Sequence, residues 1–423
     1  LEHGVADDSR RLRVFTPALV LLTLSVLINY VDRGNLSIAA PLLKDQLNIS
    51  VSQLGILLSA FFWTYTALLF VSGWLVDRFD VNLVIAVAYL LWSLATATTG
   101  IVHGFTMLLV MRLILGAGES VTFPACSKIL AWHLPEHYRG FANGAIAAGY
   151  RCGPAVGTFG AGLLMAKYGW RPVFIGIGLV SLGWLPAWMK WMPRGQGTTP
   201  LLGAPPGLGD ILRQRSFWGT CVGQFCGNYV WYLMVAWLPL YLVQERHLSM
   251  QSMAKTAGAY YLAEAASAIA TGWLSDLCIR RGFTSTMVRK TAMAIGYTTA
   301  AIALVSCAVA SPGTYLAFLM AVGVGCGMGG SGTFAFSQAL AGAHAAGRWT
   351  GLQNGVANLS GVVGPALTGF LVDRTGHFLA AFAITAAVSM VGALTWVLAI
   401  GRLEQVKWTP QPGRLVEAAG DPV

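Results

Sequence analysis

The chain has 423 residues, of which 56% are hydrophobic and only 10% are charged, with a mean hydropathy of +0.63. A soluble globular domain carries roughly 25% charged residues, so this composition excludes one and leaves a polytopic helical membrane protein. The net charge of +10, which in a soluble chain would suggest nucleic acid, here reads as basic loops on one side of a bilayer.

At about 20 residues per crossing, the length accommodates a dozen spans with short loops. The apolar runs place them near 15–43, 54–76, 82–102, 105–131, 140–165, 171–191, 217–243, 255–276, 288–310, 314–341, 349–372 and 377–401. Arg10, Arg11 and Arg13 precede the first run as they would in a signal sequence. The run continues through Asp32 to Leu43 without a convincing cleavage site, and is read as an uncleaved first helix. Within it stands Asn29-Tyr30-Val31-Asp32-Arg33. A charge at bilayer depth costs roughly 2.5 to 10 kcal/mol, so it persists beside a partner, a cavity or a substrate. The alternative is that Asp32 and Arg33 snorkel into the headgroup layer.

The second span closes on Gly73-Trp74-Leu75-Val76-Asp77-Arg78. The fourth carries Arg112 and Glu119, two helical turns or about 10.5 Å of rise apart and therefore on one face. Gly116 and Gly118 between them admit a close helix neighbour. Loss of hydration disfavours the charge on such a carboxylate and a nearby cation favours it. Moving the cation onto an incoming anion would leave the carboxylate holding a proton, which is a coupling mechanism in one step; a permanently paired structural salt bridge between helices 1 and 4 is the alternative. Lys128, near the end of this span, is read as snorkelling. Arg151 in the fifth span is a third in-span cation, facing the cavity, snorkelling, or tied to Glu119.

After the sixth span, 192–215 is rich in Pro and Gly and ends in a basic cluster. This linker divides the chain into a six-helix bundle at 1–191 and another at 216–423. Glu264 in the eighth span is a partner for Arg151, a second proton site or a hydroxyl acceptor. That span ends on Gly272-Trp273-Leu274-Ser275-Asp276, which repeats the end of the second. Asn143-Gly144 followed by Gly153-Pro154 in the fifth span recurs, with the same internal spacing, as Asn354-Gly355 and Gly364-Pro365 in the eleventh. Two matches in corresponding helices indicate a duplicated six-helix unit, with the site between the halves at mid-depth. Basic residues concentrate in the loops on the side of the termini, with only Lys44, Lys167, Arg171, Arg246, Lys255 and Arg374 opposite. The positive-inside rule puts both termini in the cytoplasm.

On these residues the chain resembles the major facilitator superfamily over essentially its whole length. The Gly-x-x-x-Asp-Arg signature between helices 2 and 3 stands as Gly73, Asp77 and Arg78, followed by Asp80-Val81-Asn82 in place of the usual basic pair. The resemblance gives these, with Asp276 of the repeat, a role in conformational switching. More narrowly, 29–37 and 111–119 are similar to the anion:cation symporter branch, which includes bacterial galactonate, hexuronate and glucarate importers and animal sialin and vesicular glutamate transporters. That resemblance implies proton coupling at Asp32 and Glu119, and anion recognition or charge pairing at Arg33 and Arg112. It also places Tyr30, Tyr65, Asn228, Tyr229, Tyr232, Gln338, Asn354 and Asn358 on cavity-lining helices, where amides and phenols would read hydroxyls. With Arg151 and Glu264 added, the expected substrate is a sugar acid: an aldonate, a uronate or an aldarate.

The expected protein is therefore an all-α transporter of twelve helices in two six-helix pseudo-repeats. It would be a monomer in the inner membrane, partnered by protons, lipid and a small organic anion, with the proton gradient in place of a cofactor. Anion exchange, facilitated diffusion and ligand sensing without transport remain open alternatives. The sequence offers no nucleophile with its base, and its seven scattered cysteines lack metal-ligand spacing. An enzyme and a metal centre are thus not expected.

Overall fold

In the computed structural model the described residues are 2–134, 136–192, 207–406 and 408; the side chains of 2–14, 70, 77, 131, 136–141, 343 and 344 lie outside the description. Among the described residues there are twelve helical crossings: α1 Glu2–Leu47, α2 Val51–Arg78, α3 Val81–Thr99, α4 in two pieces (Phe105–Glu119 and Thr122–His133), α5 Glu136–Tyr168 and α6 in two pieces (Trp170–Ser181 and Trp184–Trp191). The second half follows with α7 Arg215–Gln244, α8 Met250–Arg280, α9 Ser285–Val309, α10 Tyr315–Gly342, α11 Ala345–Thr375 and α12 Leu379–Ala399. Among the described residues there is no strand.

Local chemistry sets the ends. Ser50 and Gln53 form a reciprocal capping box that starts α2, Asp80 caps α3 through the amides of Asn82 and Leu83, and Ser249 and Thr284 cap α8 and α9. Gly376 takes the left-handed conformation that closes α11. Ten of the crossings are apolar enough to span a membrane on composition alone. The fifth and eighth fall short, because Arg151 in one and Lys255, Glu264 and Asp276 in the other interrupt them.

The Pro- and Gly-rich connection spans 192–215, of which 193–206 lie outside the described residues. Its last part is more ordered than a bare linker: Leu208–Leu212 forms one helical turn and buries Ile211 in the second bundle. The two bundles meet through α2 on α11, α5 on α8 and α1 on α7. The first two pairings are exchanged when one half is mapped on the other, as a pseudo-twofold requires.

Packing reveals the overall disposition. On the side away from the termini, one hydrophobic core runs through both bundles, from Leu36, Leu54 and Leu58 to Trp237, Met253, Tyr260 and Phe382. On the terminal side the core divides into two. One, around Phe15, Tyr89, Trp92 and Trp188, lies in the first bundle except for Tyr232; the other, around Phe217, Trp349 and Trp396, lies in the second. The bundles are thus joined at one end and parted at the other.

Glycine makes the joint tight. A Cβ on Gly55 would come within 2.8 Å of the Pro365 carbonyl oxygen, and one on Gly369 within 2.9 Å of the Gly55 Cα. On the symmetry-related seam a Cβ on Gly162 would strike Ala254 at 2.6 Å, and Gly258 faces the Phe159 ring. Such contacts let helix backbones approach and gain dispersion along their length. Ser59 Oγ donates to the Val362 carbonyl at 2.5 Å, and at the rim Ser52 Oγ donates to Asp373 at 2.7 Å.

Candidate functional site

Where the joined and parted regions meet, a cavity of about 20 Å³ is lined by Arg33, Leu58, Phe61, Phe62, Arg112, Trp231, Tyr232, Val235 and Ala236. Two guanidinium groups thus face a small apolar chamber between the bundles. Both are buried, at 6% and 5% exposure. Arg33 Nε donates to Glu119 Oε2 at 2.8 Å, the one ion pair within 4.0 Å among the described residues. Its guanidinium carbon also lies 4.6, 4.9 and 4.4 Å from the ring centroids of Tyr30, Phe61 and Tyr65. An aromatic collar of this kind holds a desolvated cation through the ring quadrupoles. Arg112 Nε donates to the Leu57 carbonyl at 3.2 Å and lies 5.1 Å from the Phe61 centroid.

The two carboxylates stand behind the cations, inside the first bundle. Asp32 follows the same helix as Arg33 but points about 100° away, as neighbouring helical residues do. Its Oδ1 accepts from Asn35 Nδ2 at 3.2 Å, and its surroundings include Thr96 on α3 and Arg112 and Glu119 on α4. Glu119 is fully buried. The cluster is incompletely satisfied: Asp32 Oδ2, Arg33 Nη2 and Glu119 Oε1 are buried with no hydrogen-bond partner, and such an atom costs about 1–3 kcal/mol. Gly116 and Gly118 bring the helix carrying Arg112 and Glu119 against its neighbours, since a Cβ there would meet the Phe61 and Ala88 carbonyl oxygens.

The second bundle presents amides. The Tyr232 hydroxyl donates to Asn358 Oδ1 at 2.5 Å, and Asn358 Nδ2 donates to the Asn354 carbonyl at 2.7 Å. From Asn354 the ladder runs outward: Gln224 Nε2 donates to Asn354 Oδ1, Gln353 Nε2 donates to Gln224 Oε1, and Ser337 and Trp349 donate to Gln353 Oε1. Of the expected residues, Tyr30, Arg33, Tyr65, Arg112 and Tyr232 gather at the chamber with Asp32 and Glu119 behind them. Asn358 touches it through Tyr232. Asn354 belongs to the ladder, Tyr229 packs on Gly364 and Phe225, Asn228 is half-buried, and Gln338 is exposed. Sequence reasoning missed Phe61, Phe62 and Trp231, which wall the chamber, and Gln224, Gln353 and Ser337, which brace Asn354. Trp231 beside Tyr232 and Gln224 one turn before Asn228 were the available signals.

Arg151 and Glu264 occupy opposite bundles. The α5–α8 seam pairs Gly162 with Ala254 and Phe159 with Gly258, and the same antiparallel register carried inward sets Arg151 opposite Glu264. They form no ion pair. Arg151 lies over the Tyr150 ring at 5.4 Å, and Tyr150 and Trp231 both pack on Tyr30, with centroids 5.7 and 6.0 Å away.

The signature loop is simpler. Gly73 has open space around it, Arg78 and Asp276 are exposed, and the Asp77 side chain lies outside the described residues. The cap on α3 is supplied by Asp80, which explains an acidic residue there. Lys128 differs from expectation: it donates to the Val76 carbonyl in the last turn of α2 and stacks 4.3 Å from the Trp132 centroid. Carbonyls of a last turn lack intrahelical partners, and a nearby ammonium satisfies one.

The sequence matches the profile of the Major Facilitator Superfamily over residues 22–288 and 257–420. It is 28% identical over 405 residues to the hexuronate transporter of Bacillus subtilis (strain 168), covering 89% of this chain and 93% of that protein. It is 27% identical over 418 residues to the D-galactonate transporter of Escherichia coli O6:H1, covering 92% and 96%. In three dimensions it is similar to a bacterial homologue of the human lysosomal transporter Spinster, in an inward-facing and occupied conformation. That likeness has a TM-score of 0.78, 17% identity and coverage of 90% of this chain and 96% of the other.

Proposed function

The chain belongs to the major facilitator superfamily, and we propose that this membrane transporter is a proton-coupled symporter of an organic anion, a sugar acid of the aldonate, uronate or aldarate class. The observation that carries this reading is the Arg33–Glu119 pair at a chamber between the bundles. A guanidinium offers a planar fork that matches a carboxylate bidentately. When a substrate carboxylate takes Arg33, Glu119 loses its counter-charge in a fully buried position, where an unpaired carboxylate is costly. Glu119 then takes a proton, and Asp32, with one oxygen unpartnered, is the second carrier. Asp32, Arg33, Arg112 and Glu119 carry no net formal charge when the site is empty, and loading one proton for each negative charge on the substrate keeps it so, whereas anion or proton alone would leave a net charge that is costly to carry through the closed state.

Amides and phenols around the chamber suit a polyhydroxylated acid, because each hydroxyl needs both a donor and an acceptor. The named relatives transport a hexuronate and a D-galactonate, which agrees with that chemistry. We place the protein in the inner membrane with both termini in the cytoplasm, following the excess of Lys and Arg on the terminal side. In that orientation the parted cores describe a cleft open to the cytoplasm, and the glycine seams are its closed outer gate. Alternating access would then exchange these two states around Arg33.

A ligand that binds the folded state raises its apparent stability. The test is thermal unfolding of the purified protein with aldonates, uronates and aldarates, against neutral sugars, amino acids and short aliphatic acids. Sugar acids should raise the melting temperature in a dose-dependent way, and Arg33→Gln should abolish the rise. Stabilisation by neutral sugars with none by sugar acids would overturn the reading.

A further inference from the structure

Arg151 and Glu264 find no use in the coupling scheme, yet a charge in the middle of a span is costly to keep. They come from opposite bundles, one on α5 and one on α8. Phe159 packs on Gly258 in the seam, and the next turns inward carry the two charges. Arg151 and the Trp231 indole both lie in the neighbourhood of Glu264. The two are not within ion-pair distance of each other, and Glu264 Oε2 is buried without a hydrogen-bond partner. A group that pairs with both would satisfy the orphaned Glu264 oxygen and the guanidinium together. An α-hydroxycarboxylate does so: its carboxylate accepts from the guanidinium, and its hydroxyl donates to Glu264.

A tyrosine pair links this position to the first cation site. Tyr30 stacks on Arg33 on one side and on Tyr150 on the other, and Tyr150 carries Arg151. Trp231, which walls the chamber at Arg33, also lies near Glu264. A single elongated substrate lying along this aromatic surface would thus have a cation at each end.

We propose that Arg151 and Glu264 form a second subsite for the hydroxylated far end of the substrate, so that the preferred sugar acid is an aldarate, carrying a carboxylate at both ends. The subsite draws one residue from each bundle, so an aldarate held there would contact both at once. This rests on the sugar-acid reading above, and the test separates the two.

The experiment measures dissociation constants of detergent-purified protein for galactarate, galactonate, galacturonate and adipate, in the wild type and in Arg151→Gln, Arg151→Lys and Glu264→Gln. Each variant is first checked for monodispersity and for a cooperative thermal transition. In the wild type galactarate should bind at least tenfold tighter than galactonate or galacturonate, and adipate, which lacks hydroxyls, should bind weakly. Arg151→Gln should cost galactarate about tenfold more affinity than it costs galactonate, and Arg151→Lys should restore part of the difference. Glu264→Gln should weaken galactarate more than adipate. If Arg151→Gln lowers galactarate and galactonate affinity by the same factor, or lowers neither, the second subsite is refuted and the sugar-acid reading stands. If no sugar acid binds the wild type, the sugar-acid reading falls and this inference falls with it.

Discussion

The charged cluster of the first bundle and the amide ladder of the second satisfy their buried polar groups differently. In the second, Tyr232, Asn358, Asn354, Gln224, Gln353, Ser337 and Trp349 form a continuous ladder, and none of these side chains has an unpartnered buried atom. In the first, Asp32, Arg33 and Glu119 each retain one, as do Asn29, Asn35 and Thr96 around them. A satisfied neutral network rigidifies a bundle, whereas an incompletely paired charged one has states to exchange. In the proposed cycle the amide ladder of the second bundle is the frame, and the charged cluster of the first bundle carries the proton.

That division can be broken most severely at Arg33. Arg33→Lys keeps the charge but loses the fork and the fit within three aromatic rings, so substrate affinity should fall at least tenfold in an equilibrium binding measurement. A smaller but clear effect is expected at the gate. Gly55→Ala and Gly369→Ala each insert a methyl group where less than 3.0 Å is available to the opposing backbone. Spin labels on the two bundles near residues 52 and 373 should then report a larger population of separated distances, and uptake should slow. Unchanged distances would show that the seam yields without opening.

In the frame itself, Gln353→Leu leaves Gln224 Oε1 without its donor, while Ser337 keeps the Thr333 carbonyl and Trp349 keeps the Thr220 hydroxyl. At about 1–3 kcal/mol for each buried group left unsatisfied, it should lower the melting temperature while sparing the ratio of proton-driven uptake to counterflow. A change in that ratio would move coupling into the second bundle. The smallest effect belongs to Ser52→Ala, which removes one exposed hydrogen bond to Asp373. A net hydrogen bond is worth about 0.5–1.5 kcal/mol, so transport should stay within about twofold.

What the sequence disclosed follows the same contrast. Charges in apolar runs are conspicuous, so Asp32, Arg33, Arg112 and Glu119 were visible, and the repeated Gly-Trp-Leu and Asn-Gly motifs exposed the duplication. The choice of Arg33 rather than Arg112 as the partner of Glu119 was hidden, because it depends on how α1 crosses α4 and not on spacing within either. The amide ladder was hidden for another reason. A lone Gln or Ser suits an interface, a loop or a core equally well, and the difference between buried Ser337 and exposed Gln338 is one residue of helix phase. Asp80 as a cap and Lys128 on a terminal carbonyl were also beyond reach, since both answer to backbone groups that only helix ends expose.

In the proposed cycle Glu119 carries the proton that it binds once Arg33 leaves it for the substrate. Proteoliposomes holding the wild type or Glu119→Gln are given an inward proton gradient and, separately, an outward gradient of unlabelled substrate. A glutamine is neutral at every pH, so Glu119→Gln should lose accumulation against a concentration gradient while counterflow of the same sugar acid stays measurable. The wild type should show both, with accumulation rising as the outside is acidified. A Glu119→Gln protein that still concentrates substrate on a proton gradient would contradict the account and leave the Arg33–Glu119 pair a structural bridge.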